Sequence, residues 1–335
     1  MVSVALDKKN LSMLVAVMRK QGTVIGPVAS GDEVVLAEIM GKSVPELEFA
    51  NFKLPLKREF FPQCEVISRY KKNGPVEEPV NNGPVVLFGV RPCDTQSLSF
   101  LDKVFFDEKY KDPYYAKRRD NALVISLACT DPAATCFCMS TGGGPVSRLG
   151  TDILSVNLAK SLLFEPVSKK GEAFVKINKS LFRKPTAAEL KEREKQESNS
   201  RKNMAAVEVS RLPGSLAKKN DPAFWEGLAE TCLSCGACTF LCPTCHCFDL
   251  YEEKQEAGSA RLRVHDACMF ASFVREASGH NPRAKKGERM RQRVMHKFSY
   301  APENFQAAFC VGCGRCVTNC PSNIDIRETI AMVNA

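Results

Sequence analysis

Two runs of cysteine dominate the sequence. Cys232, Cys235, Cys238 and Cys242 are separated by two, two and three residues and followed by Pro243; Cys310, Cys313, Cys316 and Cys320 repeat the spacing before Pro321. Cysteines at i, i+3 and i+6 let one tight loop present three thiolates to three irons of a 4Fe–4S cluster, and the fourth, beside proline, typically ligates the other cluster in two-cluster ferredoxins. The spacing therefore predicts one cluster on Cys232, Cys235, Cys238 and Cys320, and a second on Cys310, Cys313, Cys316 and Cys242. Zinc is the alternative, but zinc sites commonly take two separated pairs of ligands. Gly236 and Gly314 follow the second cysteine of each run, where the backbone must come close to the inorganic core.

Four more cysteines lie in the first half. Cys93 and Cys129 each end a predicted strand, and Cys136 and Cys138 follow on a loop. Ligands collect at the carboxyl ends of strands in open α/β sheets. A cluster there would carry net negative charge, favoured by the start of the helix after Cys93 and by Arg91. Buried free thiols are the competing reading; convergence of four cysteines favours a third 4Fe–4S cluster. Asp94 is a substitute ligand on paper, but reads better as the helix cap. Cys245, Cys247 and Cys268, with His246, are open between a further metal site and a thiol shell packed around the first two clusters. Cys64 stands alone and reads as a buried thiol.

The elements that must position these groups follow from patterning. The length of 335 residues suits two domains, and 44% apolar residues with 25% charged can build real cores. Residues 84–90 and 121–127 are continuous apolar runs, predicted as buried strands, with Leu98, Leu101, Val104 and Phe105 at helical spacing between them. Strand, helix, strand implies a parallel βαβ unit. The first 60 residues read as a small α/β cap. Residues 186–197 read as an exposed charged helix, with a Thr186–Glu189 capping box and a Glu189–Arg193 pair. Between the cysteine runs lie 67 residues, of which 249–257, 268–278 and 285–297 read as helical. The expected fold is an α/β domain (1–165), a basic charged connector (166–221) and a mainly α domain of the α-helical ferredoxin type (222–335).

Composition excludes several classes. Bunched cysteines in a chain this long argue against a disulfide scaffold and for a reducing, cytoplasmic setting. No stretch reaches the ~20 apolar residues of a membrane span. Leu11 to Met18, followed by Arg19 and Lys20 without a small-residue cleavage site, reads as an amphipathic helix and not as a secretion signal. Of the net charge of +9, a surplus of eight falls in residues 166–219, where 14 Lys and Arg meet 6 Asp and Glu. Only Phe174 and Phe182 interleave there, which suits a solvated segment and not a nucleic-acid face. Gly142–Gly144 lacks the Walker lysine and the spaced dinucleotide glycines.

Several runs in combination carry a family resemblance: 60–63 (Phe-Phe-Pro-Gln), 89–94 (Gly-Val-Arg-Pro-Cys-Asp), 112–115 with Arg118 and Arg119, Cys136-Phe-Cys138, 242–249 (Cys-Pro-Thr-Cys-His-Cys-Phe-Asp), 279–281 and 310–316. With these the chain resembles, over nearly its whole length, the iron–sulfur beta subunit of cytoplasmic sulfhydrogenases and the corresponding iron–sulfur component of anaerobic sulfite reductase. Similar subunits accompany flavin oxidoreductases coupled to heterodisulfide reductase. The resemblance implies a redox wire between a flavin subunit that handles NAD(P)H and a catalytic partner of hydrogenase, sulfite reductase or heterodisulfide reductase type. It also supports the third cluster on Cys93, Cys129, Cys136 and Cys138, and keeps cysteines matching Cys245, Cys247 and Cys268 without giving their role. Cys64 and His265 depart from it, standing where threonine and tryptophan are expected. The expected function is therefore electron transfer within a multi-subunit oxidoreductase, without nucleic acid or a membrane span. The alternatives are a self-sufficient iron–sulfur flavoenzyme and a cluster-sensing regulator binding nucleic acid through residues 166–219.

Overall fold

A computed structural model describes all residues except 1–2, 42, 72–73, 78–82, 203 and 256–257. Its strands are β1 (Val4–Asp7), β2 (Thr23–Ser30), β3 (Glu33–Glu38), β4 (Cys64–Lys71), β5 (Val76–Glu77), β6 (Val85–Val90), β7 (Ala122–Leu127), β8 (Ile153–Asn157), β9 (Ser161–Pro166), β10 (Phe248–Gln255) and β11 (Gly258–His265). Two compact units emerge. The first takes residues 1–56, 82–205 and 311–313; the second takes 57–81, 206–310 and 314–335. No helix among the described residues is long and apolar enough to cross a membrane.

The first unit is built on a seven-stranded mixed sheet in the order β1-β9-β8-β7-β6-β2-β3. The βαβ expectation holds: β6 and β7 are parallel neighbours, and helix Pro92–Phe105 lies between them in sequence. Their side chains alternate between two covered faces, which is why both strands read as unbroken apolar runs. Val86, Phe88, Ile125 and Leu127 share one core with Leu14, Val15 and Met18 of helix Leu11–Arg19, so the apolar run near the start is indeed an amphipathic helix. The first 60 residues form no separate cap, because β2 pairs in parallel with β6 and extends the same sheet.

The expected connector is mostly part of this unit. Phe174, from helix Lys169–Ile177, is buried in the sheet's core, and Phe182 packs against it. Helix Ala187–Lys202 is tied down by charge: Arg193 bonds Glu165 at 3.0 Å, and Arg183 bonds both Asp7 and Glu189 at 2.7 Å. The capping box forms, with Thr186 N donating to Glu189 (2.8 Å) and Glu189 N to Thr186 Oγ1 (3.3 Å). The expected Glu189–Arg193 pair does not form, since Arg183 takes Glu189 while Arg193 takes Glu165 and Glu197. The surplus basic charge of 166–219 is thus partly neutralised by the sheet's own carboxylates.

The second unit departs further from expectation. Residues 249–255 do not form a helix, and 256–257 of that expected helix lie outside the described residues. Strands β10 and β11 make an antiparallel hairpin, and β4, nearly two hundred residues earlier, pairs with β11 to give the order β10-β11-β4-β5. Glu252, Glu253 and Lys254 imitate helix composition, but here they are the exposed charges of an edge strand, a common guard against edge-to-edge pairing. Alternation is masked on β11 because a buried position is Arg263, whose guanidinium bonds Glu65 of β4 and faces the rings of Phe61 and Phe248. Residues 268–278 are mainly turns, whereas Lys286–Met295 is the expected helix. Cys64 opens β4 and is exposed, not buried.

Candidate metal centres

The second unit holds a small cavity lined by Cys232, Cys235, Cys238 and Cys320, with Cys316, Met269, Met290, Ile324 and Ile326 completing much of its wall. Three of the first four come from one run and the fourth from the other. Local backbone explains the loop. Gly236 and Gly314 adopt φ of +74° and +72° and cap the short helices Ala237–Phe240 and Arg315–Thr318. A Cβ at Gly236 would stand 2.8 Å from the Phe270 ring, so here glycine is demanded by the turn and by aromatic packing. Cys232 Sγ accepts from Ser234 N (3.4 Å) and Cys320 Sγ from Ile324 N (3.3 Å). Burial pushes the Cys238 thiol up, against the pull of Arg293.

Of the second predicted set, Cys242, Cys310 and Cys316 belong to the second unit and Cys313 to the first. Cys242 is buried. A hydrogen bond with Cys245 pulls its pKa well below the thiol range, and Lys297 and Lys57 pull the same way. Lys297 Nζ lies 3.2 Å from Cys242 Sγ, 3.4 Å from Cys245 Sγ and 3.1 Å from the Phe309 carbonyl. Burial disfavours its charge, but the thiols of Cys242 and Cys245 outweigh burial and hold its pKa well above normal. Lys57 Nζ donates to the carbonyls of Cys245 (2.8 Å) and Thr239 (3.4 Å).

Cys245, Cys247 and Cys268 come together as pairs. Cys245 partners Cys242, and Cys247 partners Cys268, whose thiol is lowered to about 6 chiefly by that bond. Thr239 Oγ1 lies 3.9 Å from Cys268 Sγ. His246 turns Nδ1 toward the Thr244 carbonyl (3.0 Å), and burial lowers its pKa to about 4.

In the first unit, Cys93, Cys129, Cys136 and Cys138 line one small cavity, with Arg91, Asn51, Met204, Gly312 and Cys313. The sheet sets two of them: β6 leads through Arg91 into helix Pro92–Phe105, and β7 leads to Cys129. Arg91, not Asp94, is the N-cap residue of that helix. Asp94 is fully buried and accepts from Leu56 N at 3.3 Å. Arg91 is 3% exposed, stacks on Phe49 at 3.8 Å and donates to the carbonyls of Ala128 (2.9 Å) and Ala50 (3.1 Å). Burial pushes Cys138 up to about 12, helped by Cys136 and Cys129. Phe137 N donates to Gly312 O at 2.8 Å, and Cys136 Sγ stands 3.7 Å from Cys313 O. The tripeptide 311–313 is thus stitched to the Cys-Phe-Cys loop.

Four thiolates on one zinc ion, at ~2.3 Å each, stand within about 4 Å of one another. Among the described residues no three His, Cys, Asp or Glu side chains converge to hold a single ion. A four-iron cube instead takes each thiolate on a separate corner, and the second unit's cavity presents thiols of both runs to it. The decisive fit is charge. Arg293 lines the second unit's cavity, is 5% exposed, and its Nε has no hydrogen-bond partner among protein atoms. An orphaned cationic donor in a cavity lined by five cysteines is what an anionic sulfur core would satisfy.

Comparison with known proteins agrees. Residues 231–324 match the 4Fe-4S dicluster domain family. The chain is 34% identical to sulfhydrogenase 2 subunit beta of Pyrococcus furiosus over 314 residues, covering 92% of this chain and 91% of that one. The chain belongs to this iron–sulfur beta-subunit family. No solved structure matches it. Within this beta subunit, cysteine spacing leads to both cavities, but sequence reading missed Lys57, Arg289, Arg293 and Lys297, all buried. A signal was present for three of them: positions 289, 293 and 297 recur at i, i+4 and i+8, a basic stripe on one helical face.

Proposed function

We propose that this beta subunit is the electron-transfer wire of a multi-subunit oxidoreductase, carrying electrons between a flavin subunit that handles NAD(P)H and a catalytic partner of hydrogenase, sulfite reductase or heterodisulfide reductase type. The observation that carries this reading is the cavity lined by Cys232, Cys235 and Cys238 of one motif together with Cys316 and Cys320 of the other. Bound 4Fe–4S clusters supply one-electron chemistry, with potentials set by charge, burial and hydrogen bonds to sulfur. Those four cysteines would hold the first cluster, and Cys310, Cys313, Cys316 and Cys242 the second. Cys93, Cys129, Cys136 and Cys138 would hold a third, supported by their shared cavity and by Arg91 beside Cys129 and Cys93.

The protein's own contribution is electrostatic and steric. Met269, Met290, Ile324 and Ile326 give the first cavity an apolar wall. Arg293 and Lys297 offset thiolate charge from within the second unit, and Arg91 does so in the first, whereas burial holds the Lys57 pKa below its ordinary value against the pull of Cys245 and Cys242. Cys245, Cys247 and Cys268 fit a thiol shell around these groups, in which Cys245 and Cys247, with raised pKa values, keep weak S–H donors and Cys268 accepts from Cys247. Family membership, and not the geometry, suggests the partners. In the relative, the beta chain is one subunit of a sulfhydrogenase.

The test is iron and acid-labile sulfide per chain in anaerobically purified protein, beside its visible and EPR spectra. About twelve irons support three four-iron clusters, and about eight confine them to the dicluster domain. Protein that binds no iron when reconstituted refutes the reading, and stoichiometric flavin absorbance in the isolated chain would replace the wire with a self-sufficient flavoenzyme.

A further inference from the structure

Arg293 occupies an unusual position. It projects from helix Lys286–Met295 into the cavity that Cys232, Cys235, Cys238 and Cys320 line, and Cys316 of the other run lines the same wall. It is buried, its Nε lacks a protein partner, and no carboxylate is among its main electrostatic neighbours. Those neighbours are Cys238, Cys316, Cys245 and Cys242, and Cys238 of the first motif and Cys316 of the second line the same cavity as this guanidinium. The residues one turn to either side are differently engaged. Arg289, whose Nε is likewise unpartnered, donates through its terminal nitrogens to the Arg283 and Ala284 carbonyls and to Ser234 Oγ, while Lys297 is spent on Cys242, Cys245 and Phe309.

We propose that Arg293 is a positioning residue shared by the two clusters of the dicluster domain: its Nε–H donates to sulfur of the cluster held by Cys232, Cys235, Cys238 and Cys320, and its fixed charge raises the reduction potential of both. This rests on the cluster reading above and deepens it. Reduction adds an electron to a core that is already anionic, so a cation and a donor to sulfur both favour the reduced form. A guanidinium cannot shed its proton in a protein, so the bias is permanent. Two anionic clusters in one low-dielectric domain also repel each other, and a cation between their ligands offsets that repulsion.

The experiment is an EPR-monitored potentiometric titration of the full chain, with iron and sulfide counted on the same samples, for wild type, Arg293→Gln and Arg293→Lys. Arg293→Gln, which removes the charge, is expected to retain iron and to lower both midpoints. The expected size is about a tenfold fall in the reduced-to-oxidised ratio at fixed potential, or ~59 mV for one electron. Arg293→Lys keeps the charge but loses the Nε–H, and should shift chiefly the cluster on Cys232, Cys235, Cys238 and Cys320. Full iron with unmoved midpoints in Arg293→Gln overturns the proposal. If Arg293→Gln fails to assemble, Arg293→Lys decides: assembly with a lowered midpoint upholds the donor role, and assembly with an unshifted one overturns it. Wild-type protein without iron would instead overturn the cluster reading itself, and this inference with it.

Discussion

Gly312, between Cys310 and Cys313, offers a sharp test of how the second motif is held. It adopts φ of +59°, and a Cβ there would stand 2.5 Å from the Phe137 carbonyl carbon and 2.6 Å from Cys138 N and Cα. These are backbone atoms and cannot rotate aside. Gly31 has the same φ, but nothing lies within 4 Å of its virtual Cβ. Both belong to the first unit, so Gly31→Ala measures the left-handed strain alone, ~1–2 kcal/mol. Gly312→Ala adds the overlap. Relieving it means separating the two segments by nearly an ångström, which breaks the 2.8 Å bond from Phe137 N to Gly312 O. Leaving that buried amide unpaired costs a further ~1–3 kcal/mol, for a total of about 2–5 kcal/mol. At ~2–4 °C per kcal/mol for a unit of this size, the apparent melting temperature should fall roughly 10 °C for Gly312→Ala and roughly 4 °C for Gly31→Ala. The assay is paired thermal melts of anaerobic protein at one scan rate, with iron counted before heating. Iron should fall in Gly312→Ala and hold in Gly31→Ala. Equal melting shifts in the two variants, with equal iron, would refute the argued contact between the 311–313 tripeptide and the Cys-Phe-Cys loop.

Other outcomes follow from the same structure. Cys136→Ser should lower iron by about four per chain while the dicluster signals persist, read by iron assay and EPR; an unchanged count would return Cys93, Cys129, Cys136 and Cys138 to the status of free thiols. Glu65→Gln removes the partner of Arg263 at a pair whose side chains are about 5% exposed, and should cost about 3–5 kcal/mol in denaturant unfolding, whereas Glu252→Gln on the exposed Arg261 pair should cost under about 1 kcal/mol. Burial holds His265 neutral, with its pKa lowered to about 3, below the unfolded value of about 6.5. The unfolded chain therefore binds more protons between those values, so stability falls as pH drops through that window. His265→Phe, which keeps a ring against Phe61, should flatten the dependence in melts at pH 7 and pH 5; parallel slopes would show that His265 is not its source.

Most of the chemistry is legible in the order of residues. Thiolate ligation is encoded locally, so the Cys-x2-Cys-x2-Cys-x3-Cys-Pro spacing names a cluster loop whatever surrounds it. The cross-assignment groups Cys320 with the first run, and Cys320 lines the cavity of Cys232, Cys235 and Cys238, as does Cys316. The apolar runs at 84–90 and 121–127 likewise foretold parallel strands, and thus that Cys93 and Cys129 stand at neighbouring strand ends. The remainder depends on partners remote in the chain, which only the folded molecule supplies. Strand β10 carries helix-like composition, and only pairing with β11 and, through it, with β4 makes it a strand. Residues 166–205 look like a solvated linker, until Phe174 enters the core and Arg193 finds Glu165. Arg293 and Lys297 read as ordinary surface cations of a charged helix, and their meaning lies in being buried against thiols. Spacing fixes which residues can share a ligand; long-range packing fixes which charges lose their water, and that loss gives a buried cation its influence over the thiols it faces.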